Sequence, residues 1–380
     1  MNNLFRQIQI GGLQLPNRVF MAPLTRCRAD AEHVPTPLMA EYYAQRASGG
    51  LLIAEATMAM ESNSAFWMEP GIHSPAQVAG WKRVTDAVHA AGGRIFLQIW
   101  HGGRACHPLL NGGAQPVAPS PLAIVGDEVR TPEGKKPYVV PRELQDDELP
   151  GIVAGFRKAA ENAQTAGFDG VEVHGANGYL LDQFLRDGAN KRRGPYGGPV
   201  ENRARLMLEV VEAVIGVWGS GRVGLRLSPL NSYNSMIDSD PVGLAAWLAR
   251  RLNDFPLAYL HVMRGDFFGQ QSGDVLGPAL RTTKACWSAT WGTRPRRPRR
   301  RSPRASSTPS PSAPASWPTP TSRSGSGPAR RSTARTPRRS IRRAPRATPT
   351  IRPCAADTLP DLVRVRLRDE IGVGATGPHI

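Results

Sequence analysis

The sequence predicts an α/β barrel of the TIM type, (β/α)8, truncated to about six strand–helix units. Short apolar runs recur along the chain, amphipathic stretches separate them, and no GxGxxG motif follows the first run. Apolar runs of this length are typical of parallel strands that are buried on both faces. Six such units within about 265 residues favour a barrel over a doubly wound sheet.

The predicted elements follow in order. The six strands are Val19–Thr25, Leu51–Thr57, Arg94–His101, Gly170–Gly175, Val223–Pro229 and Tyr259–Gly265. Four stretches with helical periodicity lie between or after them, at Pro75–Ala91, Leu149–Ala166, Asn202–Val217 and Val242–Leu252. Glycine closes the two clearest of these helices. The opening segment IQIGGLQLP (8–16) predicts a hairpin that plugs the bottom of the barrel.

The distribution of charge predicts two regions, 1–283 and 284–380. The first carries 27 Lys+Arg and 27 Asp+Glu, whereas the second carries 21 and 4 and so accounts for the whole net charge of +17. Residues 285–356 hold 17 Arg and no Lys, Asp or Glu. Such a segment, rich in Pro, Ser and Thr, buries too little apolar surface to offset its chain entropy. We therefore expect a neutral barrel followed by a disordered basic tail.

Cysteines and hydropathy indicate the setting. The four cysteines form no CxxC pair, so neither a zinc site nor a disulfide framework is expected. The first residues lack the pattern of a signal peptide, and no run of 18 apolar residues exists. The sequence predicts a cytoplasmic protein that binds no metal and no membrane.

The densest group of candidate catalytic residues is VHGANGYLLDQFL (173–185). It directly follows a predicted strand, and barrel enzymes place catalytic groups at the carboxyl ends of their strands. His174 and Asn177 can each donate an N–H to one carbonyl or nitro oxygen. Tyr179 keeps its phenolic proton at neutral pH and can transfer it to a developing carbanion. From these residues alone, a structural loop is an equally good interpretation.

Together with other segments, this motif resembles the old yellow enzyme family. The other matching segments are NRVFMAPLTR (17–26), LQIWHGGR (97–104), RDGANKRRGPYGGPVENRAR (186–205), VGLRLSP (223–229) and GDFFGQQSGDV (265–275). The similarity runs from residue 3 to about residue 281 and is greatest to the ene-reductase and N-ethylmaleimide-reductase branch. It implies an NAD(P)H-dependent flavin oxidoreductase that reduces α,β-unsaturated carbonyls, nitroalkenes or maleimides by a ping-pong mechanism.

The resemblance also implies FMN as the cofactor, NADH or NADPH as the reductant, and a role for each matching residue. Tyr179 would be the proton donor, and His174 and Asn177 would bind the activating group. The implied cofactor-binding residues are Pro23, Leu24, Thr25, Ala56, Gln98 and Arg226, and the implied substrate-pocket residues are Trp67 and Trp100. A buried arginine without a charge partner is costly, so Gln98 and Arg226, which lie within apolar runs, favour an anionic ligand. For Thr25 and the two tryptophans, a packing role explains the sequence equally well.

The region after Leu280 departs from the family pattern. The last two strand–helix units of the family carry a GNMG-like turn and an FGxxFLANPDL-like segment, whose backbone N–H groups hold the FMN phosphate. Neither string occurs in this chain. In a shifted reading frame, however, CWSATWGT (286–293) can read VLVGNMGY, TPSPSAPASWPTPTS (308–322) can read DAVAFGTGFLANPDL, and ATPTIRPC (347–354) can read GYTDYPAL. We interpret the tail as an out-of-frame continuation and expect weak FMN binding.

Several alternatives remain open. A nucleic-acid-binding protein acting through its tail is disfavoured, because residues 294–356 offer a single aromatic residue, Trp317, for base stacking. A catalytically inactive barrel that serves as a scaffold is a further possibility. Cys27 is either a redox-sensitive thiol or a structural residue, and a packing or lining role is favoured for His261. Glu172 shows no evident acid/base partner in the sequence.

Overall fold

The structure is a computed structural model that describes residues 3–277 and the backbone of two further strands, 286–290 and 362–366. The chain divides into a unit of residues 1–293 and 359–380 and a second unit of residues 294–358, which lies outside the described residues. The predicted boundary at residue 283 therefore stays a prediction.

The strands and helices are numbered in chain order. The strands are β1 (Ile8–Ile10), β2 (Leu13–Leu15), β3 (Val19–Met21), β4 (Leu51–Met58), β5 (Ile95–Trp100), β6 (Val117–Ala118), β7 (Glu128–Thr131), β8 (Gly134–Pro137), β9 (Arg142–Glu143), β10 (Gly170–Gly175), β11 (Val223–Leu227), β12 (Tyr259–Met263), β13 (Cys286–Thr290) and β14 (Leu362–Arg366). The α-helices are α1 (Pro37–Ala44), α2 (Pro75–Ala90), α3 (Leu149–Thr165), α4 (Leu180–Leu185), α5 (Val200–Trp218) and α6 (Pro241–Arg251).

A closed barrel forms the centre of the fold, in the spatial order β3-β4-β5-β10-β11-β12-β13-β14. The six predicted strands β3, β4, β5, β10, β11 and β12 are confirmed and pair in parallel. β13 continues in parallel beside β12, whereas β14 runs antiparallel to both of its neighbours. The α/β barrel prediction is thus confirmed. β13 and β14 lie in the region for which we predicted disorder; the rest of that region lies outside the described residues, so the disordered tail stays a prediction.

The four predicted helices α2, α3, α5 and α6 are confirmed to within two residues at each end. Helix α2 begins with a capping box, in which Ser74 Oγ accepts from Gln77 N and the Gln77 side chain accepts from Ser74 N. Helix α3 buries the apolar face that contains Ile152, Phe156 and Ala163. The sequence analysis missed α1 and α4, which are only 8 and 6 residues long.

The predicted hairpin at the bottom of the barrel is confirmed as the antiparallel pair β1–β2. Its inward side chains Ile8, Ile10, Leu13 and Leu15 pack in one apolar cluster with residues of the barrel interior, namely Phe20, Leu51, Ile53, Phe96 and Tyr259. Gly11 has φ +53° at the turn, and a Cβ there would lie 2.1 Å from the carbonyl oxygen of Gly221. The close approach of the two backbones therefore requires glycine.

Within the described part of the chain, no helix is long and apolar enough to cross a membrane. The same residues contain no group of three or more His, Cys, Asp or Glu side chains that could hold a metal ion.

Candidate active site

The turn after β10 carries the three predicted catalytic residues. Strand β10 ends at Gly175, and Asn177 and Gly178 then adopt positive φ angles of 58° and 74°. Asparagine and glycine are the residues that enter this conformation at the least cost. A Cβ at Gly178 would lie 2.6 Å from Met236 Cγ, so the turn is packed against the following loop. This sharp turn brings Tyr179 back beside His174 at the carboxyl end of the barrel.

An aromatic cluster brings Tyr179 and His174 together with Trp100. The Trp100 ring stacks against the His174 ring at 5.9 Å between centroids and meets the Tyr179 ring edge-on at 4.2 Å. The His174 and Tyr179 rings are 5.1 Å apart. Phe66 stacks against Trp100, and Ala56, Tyr138 and Tyr233 pack in the same cluster. The predicted pocket residue Trp100 is therefore part of the site, whereas Trp67 is 47% exposed.

Burial keeps both proton-bearing rings uncharged. Burial, with a further contribution from the charge of Arg226, lowers the pKa of His174 well below its ordinary value. Burial also raises the pKa of Tyr179 well above its ordinary value, and the nearby phenols Tyr233 and Tyr138 act in the same direction. His174 is thus a neutral imidazole and Tyr179 a protonated phenol at neutral pH. Nδ1 of His174 has no hydrogen-bond partner among the described residues.

Asn177 is held by the loop that follows β11. Its backbone N–H donates to Ser228 Oγ at 2.7 Å, and its backbone oxygen accepts from Asn234 Nδ2 at 3.0 Å. Its side-chain oxygen accepts from Asn231 Nδ2 at 3.0 Å. The acceptor atoms of Asn177 are therefore engaged, and its side-chain NH2 group remains to donate. His174 and Asn177 can thus present N–H donors from the same turn.

A polar layer lies inside the barrel next to His174. The strand register places Arg226 beside His174 and His261 beside Arg226. Glu172 accepts from Gln98 Nε2 at 2.7 Å and pairs with Nδ1 of His261 at 2.9 Å. Burial opposes ionisation of Glu172, but His261, Arg226 and Gln98 together hold its pKa below the ordinary value. The carboxylate is therefore ionised, and burial lowers the pKa of His261, which donates as a neutral ring.

Arg226 is the most unusual member of this layer. The residue is 8% exposed, and its Nε has no hydrogen-bond partner among the described residues. Burial lowers the pKa of its guanidinium, and the carboxylate of Glu172 counteracts that shift. Buried polar atoms in native proteins are nearly always paired, so an unpaired Nε beside an unpaired His174 Nδ1 favours a bound polar ligand.

The remaining cofactor-binding predictions lie on β4 and after β3. Ala56 is 5% exposed and lies where the β4–β5 register shifts between Ala54 and Thr57, which brings it into the aromatic cluster. Pro23 is buried and Thr25 half-buried, and Leu24 is 37% exposed. The roles that the resemblance implies for these residues stay predictions.

Cys27 does not have the properties of a reactive thiol. Burial, followed by the charges of Glu69 and Glu55, raises the pKa of its thiol to about 11. Since the thiolate is the reactive form, this environment favours the structural interpretation of Cys27.

Sequence reasoning missed two parts of the site. It found no partner for Glu172, because the pairing with His261 depends on the register of β10, β11 and β12. It also missed the loop 228–238, although the Asn- and Ser-rich string SPLNSYNS directly after β11 was an available signal for a polar loop at the carboxyl end.

The profile of the NADH:flavin oxidoreductase / NADH oxidase family matches residues 3–272. A probable flavin mononucleotide-dependent alkene reductase of Leishmania infantum is 49% identical over 275 residues, 71% of this chain and 75% of the relative. Putative 12-oxophytodienoate reductase 2 of Oryza sativa subsp. japonica is 45% identical over 262 residues, 68% of each chain.

Solved structures give the same result. Morphinone reductase in complex with tetrahydroNAD is 46% identical, with a TM-score of 0.71 over 76% of this chain and 80% of the other. The old yellow enzyme from Trypanosoma cruzi is 42% identical, with a TM-score of 0.74 over 77% and 83%. These matches confirm the predicted resemblance and fold.

Proposed function

Because this chain belongs to the NADH:flavin oxidoreductase / NADH oxidase family, we propose that it is an FMN-dependent reductase of activated C=C bonds. The family membership makes it an oxidoreductase with a flavin cofactor and a nicotinamide reductant, as predicted. The substrate class, α,β-unsaturated carbonyls, nitroalkenes and maleimides, and the ping-pong order are the proposal. The observation that carries it is the convergence of two neutral N–H donors and a protonated phenol at one end of the barrel.

The buried side chains fit the ring system of FMN. Arg226 offers a cation and an unpaired Nε–H inside the barrel, as an electron-rich pyrimidine edge requires. Gln98 donates one N–H to Glu172, which leaves its Oε1 and its second N–H for a ligand that both donates and accepts. Pro23, Leu24, Thr25 and Ala56 are proposed to line the same ring system. A fixed positive charge near the pyrimidine edge favours the reduced flavin.

The chemistry divides between the cofactor and the chain's own residues. When bound, FMN supplies hydride transfer, from the nicotinamide in one half-reaction and to the β-carbon of the alkene in the other. His174 and Asn177 bind the carbonyl or nitro oxygen through N–H groups that are fixed before the substrate arrives. Donors held in this way stabilise the negative charge that develops on that oxygen. Trp100 keeps the rings of His174 and Tyr179 in place and excludes water from them.

Tyr179 is proposed as the acid that protonates the α-carbon. Burial keeps its hydroxyl protonated, and the residue follows directly after the turn that bears Asn177. A substrate held by His174 and Asn177 is therefore adjacent to the phenol. Proton transfer from a positioned acid contributes about 100- to 10,000-fold to the rate of such a step.

We also propose that this chain binds FMN more weakly than a version with the family's last two strand–helix units. Residues 3–277 supply groups for the ring system, but the GNMG-like and FGxxFLANPDL-like strings are missing from the sequence. Restoring the alternative frame after codon 280 should therefore lower the dissociation constant for FMN at least about tenfold, as measured by quenching of FMN fluorescence. Equal dissociation constants for the two versions would contradict the impairment and leave the family function intact.

The function itself is tested with the FMN-saturated chain. Under anaerobic conditions, NADH or NADPH should bleach the flavin band, and 2-cyclohexen-1-one should restore it with formation of cyclohexanone. A flavin that is reduced by the nicotinamide but not reoxidised by enones, nitroalkenes or maleimides would contradict the proposal and support the scaffold alternative. The nucleic-acid alternative predicts DNA binding that weakens steeply with salt. A cytoplasmic location is retained as a proposal.

A further inference from the structure

The loop after β11 contains a buried amide, Asn231, that contacts the substrate-binding residue Asn177. Asn231 is 0% exposed and lies 54 residues away from Asn177 along the chain. Its backbone is fixed at two points, since its N–H donates to Ser228 O at 3.0 Å and its oxygen accepts from Arg186 Nη1 at 2.7 Å. Arg186 is itself fully buried. The position of Asn231 is therefore determined by the core and not by the solvent-exposed part of the loop.

The orientation of the Asn231 amide is also determined. Its Oδ1 accepts from the backbone N–H of Tyr233 at 3.4 Å. A backbone N–H can only donate, so Oδ1 of Asn231 must face Tyr233 and its Nδ2 must face Asn177. Nδ2 can only donate, so Oδ1 of Asn177 must face Asn231, as its 3.0 Å contact shows. The NH2 group of Asn177 is then left as the donor. Each amide thus fixes the direction of the next.

We propose that Asn231 is a positioning residue that sets the polarity of the Asn177 amide, so that Asn177 presents N–H and not C=O to the substrate. The inference rests on the proposed function, because it assumes an electron-rich oxygen bound by Asn177. An Asn side chain is nearly symmetric in shape, and an unconstrained amide can present either end. With the carbonyl end toward the substrate, the attraction for an oxyanion becomes a repulsion.

Two substitutions separate polarity from packing. In Asn231→Asp, one carboxylate oxygen can still accept from Tyr233 N, but the other now accepts from Asn177 Nδ2 and turns Oδ1 of Asn177 toward the substrate. In Asn231→Leu, the volume is retained and the hydrogen bond is lost, so the Asn177 amide can adopt both orientations. Ser232→Ala is the matched control. It removes the contact from Ser232 Oγ to Asp266 Oδ1 at 2.7 Å, in the same loop, without touching Asn177.

The measurement is calorimetric binding of para-nitrophenolate, whose oxygen only accepts hydrogen bonds, to the FMN-saturated full chain. We expect the dissociation constant to rise about 10- to 100-fold in Asn231→Asp and less in Asn231→Leu, and to stay within about twofold in Ser232→Ala. The dissociation constant for FMN, from fluorescence quenching, should be the same in all four proteins. This second readout distinguishes loss of donor polarity from general damage to the barrel.

A double-mutant cycle guards against a purely structural effect. In an Asn177→Ala background, Asn231→Asp should cause no further loss of phenolate affinity, because the amide that it reorients is absent. An equal loss in both backgrounds, or unchanged affinity in Asn231→Asp alone, would overturn the inference. Those results would leave the proposed function standing, since the unsubstituted chain would still bind the phenolate. Failure of the unsubstituted, FMN-saturated chain to bind it would overturn both.

Discussion

The two ends of the barrel interior use opposite chemistry. At the amino end, the β1–β2 hairpin covers an apolar cluster of Ile8, Ile10, Leu13 and Leu15 with rings from the barrel strands. At the carboxyl end, the interior contains Gln98, Glu172, Arg226 and His261, all less than 9% exposed. Several polar atoms at this end, including Arg226 Nε and His174 Nδ1, lack a partner among the described residues. The difference teaches that stability and ligand binding are separated along the barrel axis.

The largest expected effect tests the chemistry of the carboxyl end. Tyr179→Phe keeps the ring that packs against Trp100 but removes the proton. In the FMN-saturated chain, reoxidation of the reduced flavin by 2-cyclohexen-1-one should slow about 100- to 10,000-fold, because the acid is lost. Reduction by the nicotinamide should change little. Stopped-flow absorbance separates the two half-reactions, and unchanged reoxidation would remove Tyr179 from the catalytic residues.

The amino end should respond in stability and not in chemistry. Leu15→Ala removes a fully buried side chain of the hairpin and should lower the free energy of unfolding by about 2–5 kcal/mol. Gln14→Ala, on the exposed side of the same strand, should change it by less than about 0.5 kcal/mol. Urea unfolding gives both values. The comparison between the ends fails if Leu15→Ala weakens FMN binding in a protein that is otherwise folded.

Two arginines near opposite ends of the same strand sharpen the comparison. Arg226 lies within β11 beside His174, whereas Arg222 directly precedes β11 and donates to Asp169 O. Arg226→Met should raise the dissociation constant for FMN about tenfold or more, because a charged hydrogen bond to a buried ligand is worth about 1.5–3 kcal/mol. Arg222→Met should leave it unchanged. Similar losses from both substitutions would show that the overall positive charge, and not the buried site, attracts FMN.

The smallest expected effect concerns pH. Burial raises the pKa of Glu69 from its ordinary value of 4.5 to about 8, opposed by hydrogen bonds from Ser64, Ala65 and Phe66. The folded chain therefore holds a proton that the unfolded chain releases between these two values. Stability should be fully present below about pH 4.5 and should fall as the pH rises toward 8, by at most about 1.4 kcal/mol per pH unit.

Glu69→Gln is the matched variant for that titration. It should flatten the fall in urea midpoint between pH 6 and 8, roughly by the contribution of one proton. Some slope should remain, because burial also raises the pKa of Glu55 to about 7. Identical slopes for the two proteins would mean that the Glu69 carboxylate is ionised in the folded chain at neutral pH.

The sequence was sufficient for those parts of the fold that local pattern determines. The strands were predictable because both of their faces are buried, so each reads as an apolar run, and the hairpin was predictable from alternating Ile and Leu around two glycines. The short helix α1 and the hairpin β7–β8, between β5 and α3, were missed, because neither carries a long periodic signal.

The candidate site was predictable only in part. His174, Asn177 and Tyr179 are close in sequence, so one motif contains all three. The contacts that fix their chemistry are distant along the chain: Asn231 with Asn177 at 54 residues, and His261 with Glu172 at 89. Such pairs depend on strand register and loop packing, and no local propensity reports them.

The most direct test of the central claim follows hydrogen isotopes in a single turnover. The FMN-saturated chain is reduced with nicotinamide deuterated at the transferred position and then reacts with 2-cyclohexen-1-one in ordinary water. The account predicts cyclohexanone with deuterium at the β-carbon and solvent hydrogen at the α-carbon, and a product yield in Tyr179→Phe that falls sharply on the same timescale. Deuterium at the α-carbon, or a flavin that never passes its electrons to the enone, would contradict it.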